Sequence, residues 1–162
     1  MRLSQWLLSG LDSEAARTRR VLEKVPEDRM SWQPHENLHT LGWNANHLVE
    51  IVGWVGSIMN EDAFDVAPAD GPAYETPSIS DPAVLLEKFD ENVEAARAAI
   101  SSATDEALAA PWSLRAGGET LFTINKGECL RTWVLNHMVH HRGILSVGLR
   151  MGGVDVTPPY DG

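Results

Sequence analysis

Asn136-His137-Met138-Val139-His140-His141-Arg142-Gly143 places three histidines within five residues, inside a long apolar run near the C-terminus. Outward from it, Leu130, Trp133, Val134, Met138, Ile144, Leu145, Val147 and Leu149 keep steps of three and four with His137 and His141. That period predicts a long helix beginning near Asn125 or Lys126 and ended by Gly152-Gly153. On such a helix His137 and His141 are four residues apart, about 40° around the axis and about 6 Å along it, so both imidazoles can reach one ion. The pair is half of a metal site, because a stable transition-metal site takes three or more protein ligands.

Upstream, the same period recurs three times. Leu3, Trp6, Leu7, Leu11, Ala15, Thr18, Val21, Leu22 and Val25 alternate with charged residues, which describes an amphipathic helix ended by Pro26. The following Pro26–Pro34 segment reads as an ordered turn with Met30 and Trp32 as apolar anchors. Thr40 can cap a second helix through Leu41, Trp43, His47, Leu48, Ile51, Val52, Trp54, Val55 and Ile58, apolar almost all round and therefore central. Residues 60–80 hold Pro68, Gly71, Pro72 and Pro77, the composition of a long irregular connection bordering a cleft or crossing the edge of the body. Asp81-Pro82 caps a third helix with its stripe at Val84, Leu85, Phe89, Val93, Ala96 and Ile100, and Thr104–Ala110 adds one short turn.

Between Trp112 and Ile124, two short extended pieces flank Gly117-Gly118; a small hairpin and a simple extended loop fit equally. The tail from Val154 to Gly162, with Pro158-Pro159, should lie extended against the body. The expected fold is all-α: an up-down four-helix bundle with long connecting loops, forming one domain over residues 1–162.

Composition narrows the function. With 13 Lys+Arg against 23 Asp+Glu the chain of 162 residues carries a formal charge of −10, which opposes binding to phosphate backbones. A single cysteine, Cys129, excludes an internal disulfide and agrees with a reducing cytoplasm. The first ten residues are too short in apolar run for a secretory core, and no stretch approaches a membrane span. The expectation is a cytoplasmic protein with neither a nucleic-acid nor a membrane partner.

His47 lies mid-helix among core residues. By pattern alone it is equally a third ligand or a neutral histidine satisfied by one hydrogen bond. Here the order of motifs adds information. Trp32-Gln33-Pro34, Leu41-Gly42 leading to His47, the Asn136–Gly143 cluster, Leu149-Arg150 and Val156-Thr157-Pro158-Pro159-Tyr160 together resemble the DinB/YfiT-like superfamily of four-helix metalloproteins, from about residue 5 onward. The resemblance implies a divalent metal held by His47, His137 and His141: zinc or nickel first, iron or manganese next. It departs at Ile144, where the family commonly has glutamine.

Three imidazoles leave the ion its full charge and an open position, an arrangement suited to catalysis. Some relatives are similar in pattern and act as transferases using a low-molecular-weight thiol such as bacillithiol or mycothiol. A thiol-dependent S-transferase acting on a small electrophile is therefore the first expectation. The alternatives are a hydrolase using metal-bound water and a non-catalytic, metal-stabilised binding protein; a homodimer is expected. Around the site, His140 is read as an orienting or rim residue rather than a ligand. Glu50, one turn after His47, can accept its second ring hydrogen, although a surface acid fits the pattern somewhat better. Trp43, Trp54 and Trp133 fall near the histidine faces and can line a pocket. Asn44 and Asn46 are weaker candidates for supporting the ligands, His35 and His39 read as exposed, Cys129 as a small buried hydrophobe, and Arg142 as an ion-pairing residue.

Overall fold

The computed structural model describes residues 2–157. Helix α1 (Leu3–Leu22) buries Leu7, Leu11, Ala15, Thr18, Val21 and Leu22, the stripe its sequence spells out. A 3-10 turn at Glu27–Arg29 follows Pro26. The chain then folds back so that Met30 and Trp32 accept from the first amides of the next helix: Gly42 N donates to Met30 O and Leu41 N to Trp32 O, each at 2.9 Å. Gly42 is required by this approach, since a Cβ there would lie 2.7 Å from the Met30 carbonyl oxygen.

Helix α2 (Leu41–Asn60) is capped by Thr40, whose side chain accepts from Trp43 N. It buries most of its circumference, as its composition requires. Strand β1 (Ala63–Asp65) follows, then the Pro-rich connection, then α3 (Pro82–Ser102), capped by Asp81 accepting from Ala83 N. Thr104 caps the short α4 (Asp105–Ala109). Strands β2 (Pro111–Ala116) and β3 (Glu119–Asn125) form an antiparallel hairpin with Trp112 opposite Ile124. Its turn is Gly117-Gly118, with φ of +61° and +83°, the left-handed region that a two-residue hairpin demands and glycine supplies. The hairpin, one of two fits to the pattern, is thus the one adopted.

Asn125 caps α5 (Lys126–Cys129), which runs without a break into a π-helical stretch (Leu130–Asn136) and then α6 (His137–Met151). The tail after Gly152 leaves the helix at Gly153 and buries Val156; Pro158–Gly162 lie outside the described residues.

Four long helical spans thus pack around a core that includes Leu7, Leu11, Leu48, Ile51, Val52, Phe89, Leu145 and Leu149. Alternating up-down order is not what is found. Arg19 pairs with Asp90 and Arg97 with Asp12, so α1 and α3 are antiparallel. Arg142 reaches Glu14 and Thr18 while Leu135 meets Gly10, so α6 runs parallel to α1. Lys126 bonds to Met59 O and His141 meets Asn44, so α2 opposes that last span. It follows that α2 and α3 run the same way, up-down-down-up in chain order. The physical reason is the long connection between Asn60 and Pro82, which travels back along the bundle instead of turning tightly.

That connection also holds what the helical periods did not announce. Strand β1 pairs in parallel with β2, Phe64 opposite Leu114, completing a three-stranded sheet in the order β1-β2-β3. Asp65 accepts from the amides of Ala67, Gly117 and Gly118, tying the strand to the hairpin tip. Among the described residues no helix is long and apolar enough to cross a membrane.

Candidate metal centre

The antiparallel packing of α2 against α6 sets His47 opposite His137 and His141. One ring nitrogen from each of the three lies within 4.8 Å of the others. The Nε2 atoms of His47 and His137 are 3.4 Å apart. A tetrahedral ion bound at about 2.0–2.1 Å needs its ligand nitrogens about 3.4 Å apart, so the facing pair already has suitable spacing. Ring centroids are 5.0 Å for His47–His137, 4.3 Å for His47–His141 and 4.7 Å for His137–His141.

Burial favours the uncharged form of His137 and His141. His47 is buried, and its neighbours are half-buried. Desolvation, then charge on His47 and His137, pushes His141 down to about 3. Desolvation, then charge on His47, lowers His137 as well, with the Trp133 backbone opposing. Neutral imidazoles present lone pairs, the form a transition ion takes.

The outward nitrogens are treated unequally. His47 Nδ1 meets Glu50 Oε1 from one turn along α2, and Glu50 is itself buried. The surface-acid reading of Glu50 is therefore replaced: a helix buried nearly all round has no solvent face at that position to offer. The carboxylate also accepts from Tyr74 OH at 2.8 Å and Thr76 Oγ1 at 2.9 Å, both from the long connection. Tyr74 OH in turn accepts from Trp54 Nε1 at 3.2 Å, and burial first holds the phenol up at about 12. Asn44 Oδ1 lies 3.4 Å from His141 Nδ1. His137 Nδ1 is buried beside the Trp133 backbone and makes no well-formed hydrogen bond among the described residues.

Asn46 has a different task from the one expected near a ligand. It bonds to both the amide and the carbonyl of Ile79, clamping the connection onto α2. Tyr74 and Thr76, absent from the sequence reading, arrive on that clamped segment; nothing periodic in a Pro-rich loop marks them.

Aromatic rings enclose the histidines. Trp43 stacks between His39, at 3.6 Å, and His47, at 4.6 Å. Trp54 lies 5.5 Å from His137, and Trp133, 6.1 Å from it, stacks on Phe122. His140 is exposed and sits 5.0 Å from His141, outside the convergent group. His39 is exposed as expected, though its stack on Trp43 brings it closer to the site than the pattern suggests. Cys129 is fully buried and its thiol is pushed up to about 12 by that burial, which removes it as a nucleophile. Arg142 is buried and pairs with Glu14 Oε2 at 2.6 Å. Ile144 lines a small cavity of about 110 Å³ with Asn44 and His141, so the position at which the resemblance leads one to expect glutamine presents hydrocarbon.

Next to the triad, a cavity of about 430 Å³ opens between α2, the sheet and the clamped connection. Glu50, Trp54, Tyr74 and Trp133 join its wall to the surroundings of the histidines.

Fold and site define a class: a helical bundle with three convergent histidines between two facing helices. The profile described as DinB superfamily matches residues 11–145, and the chain belongs to that superfamily. Among solved structures it is similar to a DinB-like protein from Bacillus cereus, at 22% identity, with 94% of each chain covered and a TM-score of 0.70. It is also similar to the DinB-like protein YjoA from Bacillus subtilis, at 22% identity, with 94% of this chain and 96% of that one covered and a TM-score of 0.67. YfiT from Bacillus subtilis, described as a probable metal-dependent hydrolase with an unusual four-helix bundle topology, shares 16% identity, with 94% and 89% covered and a TM-score of 0.69. No curated protein matches.

Proposed function

We propose that this chain is a metal-dependent enzyme that holds one divalent transition ion, zinc or nickel first, on His47, His137 and His141 and transfers a low-molecular-weight thiol onto a small electrophile. The observation that carries the metal is the convergence of three ring nitrogens within 4.8 Å, with burial favouring the neutral form of His137 and His141. When bound, the ion supplies a Lewis-acidic centre that lowers the pKa of a coordinated thiol or water.

The chain's own residues supply orientation. Glu50, accepting from Tyr74 and Thr76, takes the Nδ1 hydrogen of His47 and leaves the Nε2 lone pair facing His137. Asn44 bears on His141 in the same manner from the opposite side. Both Glu50 oxygens are engaged in this work, which commits the carboxylate that touches the triad to orienting a ligand. That favours a thiol, which ionises readily and attacks without a separate strong base. A hydrolase is the second reading, carried over from the description of YfiT.

The test is a turnover screen of the metal-loaded protein with bacillithiol, mycothiol, glutathione or cysteine against epoxides and maleylpyruvate-like acids. Thiol adducts or thiol-dependent isomerisation that require the metal are the expected result. Product formed equally without thiol would establish the hydrolase. Silence across the panel with metal bound would overturn the transferase and favour the hydrolase or a binding protein.

A further inference from the structure

The cavity of about 430 Å³ beside the triad is walled by rings: Trp54, Phe64, Tyr74, Trp112, Phe122 and Trp133 line it, with one acid, Glu50, and no Lys, Arg or His. The face of an aromatic ring is the negative part of its quadrupole, so such a wall attracts positive charge. These rings also differ in orientation. Phe122 and Trp133 lie parallel at 5.2 Å, Phe64 meets Tyr74 edge to face at 5.4 Å, and Trp112 is tilted against Phe122 at 6.4 Å, so an occupant meets faces from more than one direction.

The donors that would hold an anion or a neutral acceptor are already engaged. Trp54 Nε1 donates to Tyr74 OH at 3.2 Å and Tyr74 OH to Glu50 Oε2 at 2.8 Å, while Asn92 Nδ2 donates to Val49 O and Ser57 Oγ to Glu61. The indole nitrogen of Trp112 is buried out of a ligand's reach. Donation by the phenol to a carboxylate also enriches the Tyr74 ring in electrons. Glu50 is 5% exposed, so an occupant does not touch its charge; the carboxylate acts through a low-dielectric wall, where it is screened far less than at a surface. An anion in the cavity would face that charge with no basic side chain in the lining to balance it. The chain's formal charge of −10 works in the same direction by drawing cations towards the molecule.

We infer that the cavity binds an organic cation, an ammonium whose nitrogen carries hydrocarbon substituents, held on the ring faces and selected for its sign by Glu50. A bare metal ion is a poorer occupant, because a wall of rings offers few oxygens to replace its water. The inference does not rest on the proposed metal-dependent activity. A divalent ion on His47 would offset part of the charge of Glu50, which lowers the affinity for an ammonium but leaves the ring contacts in place.

Binding is measured on full-length protein stripped of metal by chelation, by calorimetry and tryptophan fluorescence, with three probes close in shape: benzyltrimethylammonium, its uncharged counterpart neopentylbenzene, and phenylmethanesulfonate. The quaternary nitrogen has no lone pair, so this cation cannot act as a metal ligand. Expected is benzyltrimethylammonium binding about three- to thirtyfold tighter than neopentylbenzene, the range of a cation on ring faces from exposed to desolvated sites, with the sulfonate weakest. Trp133→Leu and Phe64→Leu keep hydrocarbon in the wall and should each narrow that preference. Glu50→Gln should weaken the cation while leaving neopentylbenzene unchanged, which also shows that the cavity is intact. Ser57→Phe, on the helical rim, and Leu114→Trp fill the cavity and should abolish binding of the cation, which separates it from attraction to the acidic surface. Equal or tighter binding of neopentylbenzene, tighter binding of the sulfonate, a preference untouched by both ring substitutions, or full cation binding to both cavity-filling variants would overturn the inference even if the metal activity stands.

Discussion

Glu50 Oε1 meets His47 Nδ1 from three residues further along α2, inside the bundle, and the same carboxylate is held by Tyr74 and Thr76 from the connection that follows. One helix thus supplies a candidate ligand and the group that orients it. The connection is fastened at the same point. Any change to Glu50 is felt by both.

Glu50→Gln keeps the volume but replaces the charge. It should lower affinity for a divalent ion about 10- to 100-fold, the range seen when such supporting carboxylates are altered. Competition against a chromophoric chelator reads this directly. Unchanged affinity, with the ion still bound by the wild-type ligands, would remove Glu50 from the centre.

Two of the cross-helix ion pairs of α1 should differ sharply in worth. Arg142 is 1% exposed and pairs with Glu14, whereas the side chains of Arg97 and Asp12 are 46% and 44% exposed. Glu14→Ala should cost clearly more than about 1 kcal/mol, because it removes a carboxylate held 2.6 Å from a buried guanidinium. Arg97→Ala should cost no more than about 1 kcal/mol, the worth of an exposed pair. Urea denaturation of both variants makes the comparison, and similar losses would contradict it.

Much of this molecule was legible beforehand. The four long helical spans follow from spacing and from Thr40, Asp81 and Asn125, whose side chains cap them as residues of those types do. Helix direction was not legible, because periodicity carries no sign and a loop as long as 61–81 permits either sense. The π-helical stretch before His137 was hidden for a related reason: a local widening barely disturbs the apolar spacing around it. In the site, the i, i+4 pair was plain. His47 needed the order of motifs around it, because a histidine on an all-apolar helix reads the same whether it binds an ion or a carboxylate. Glu50 was misjudged because acids are usually exposed, and Tyr74 and Thr76 depend on how a non-periodic segment folds back.

Acid should weaken the metal-free protein through the histidines. His141 is held down to about 3 and His137 is lowered too, both first by burial. On unfolding they return towards 6.5, so between 6.5 and about 3 the unfolded chain binds more protons than the folded one. Stability from this source is whole above 6.5 and is lost as pH falls through that window. Denaturation of metal-free protein at pH 7.5 and 4.5 should show the decline, and His141→Gln should make it shallower. An identical decline in the variant would place its origin elsewhere.

Cobalt titration of the metal-stripped protein, followed in the visible range, tests the central claim most directly. The wild type should take up one equivalent with intense bands of low coordination number, and those bands should shift when a thiol is added. His47→Ala, His137→Ala and His141→Ala should each lose stoichiometric binding, while His140→Ala keeps it. Failure of the wild type to bind one equivalent, or stoichiometric binding that survives each of the three single substitutions, would contradict the assignment of His47, His137 and His141 as one metal centre.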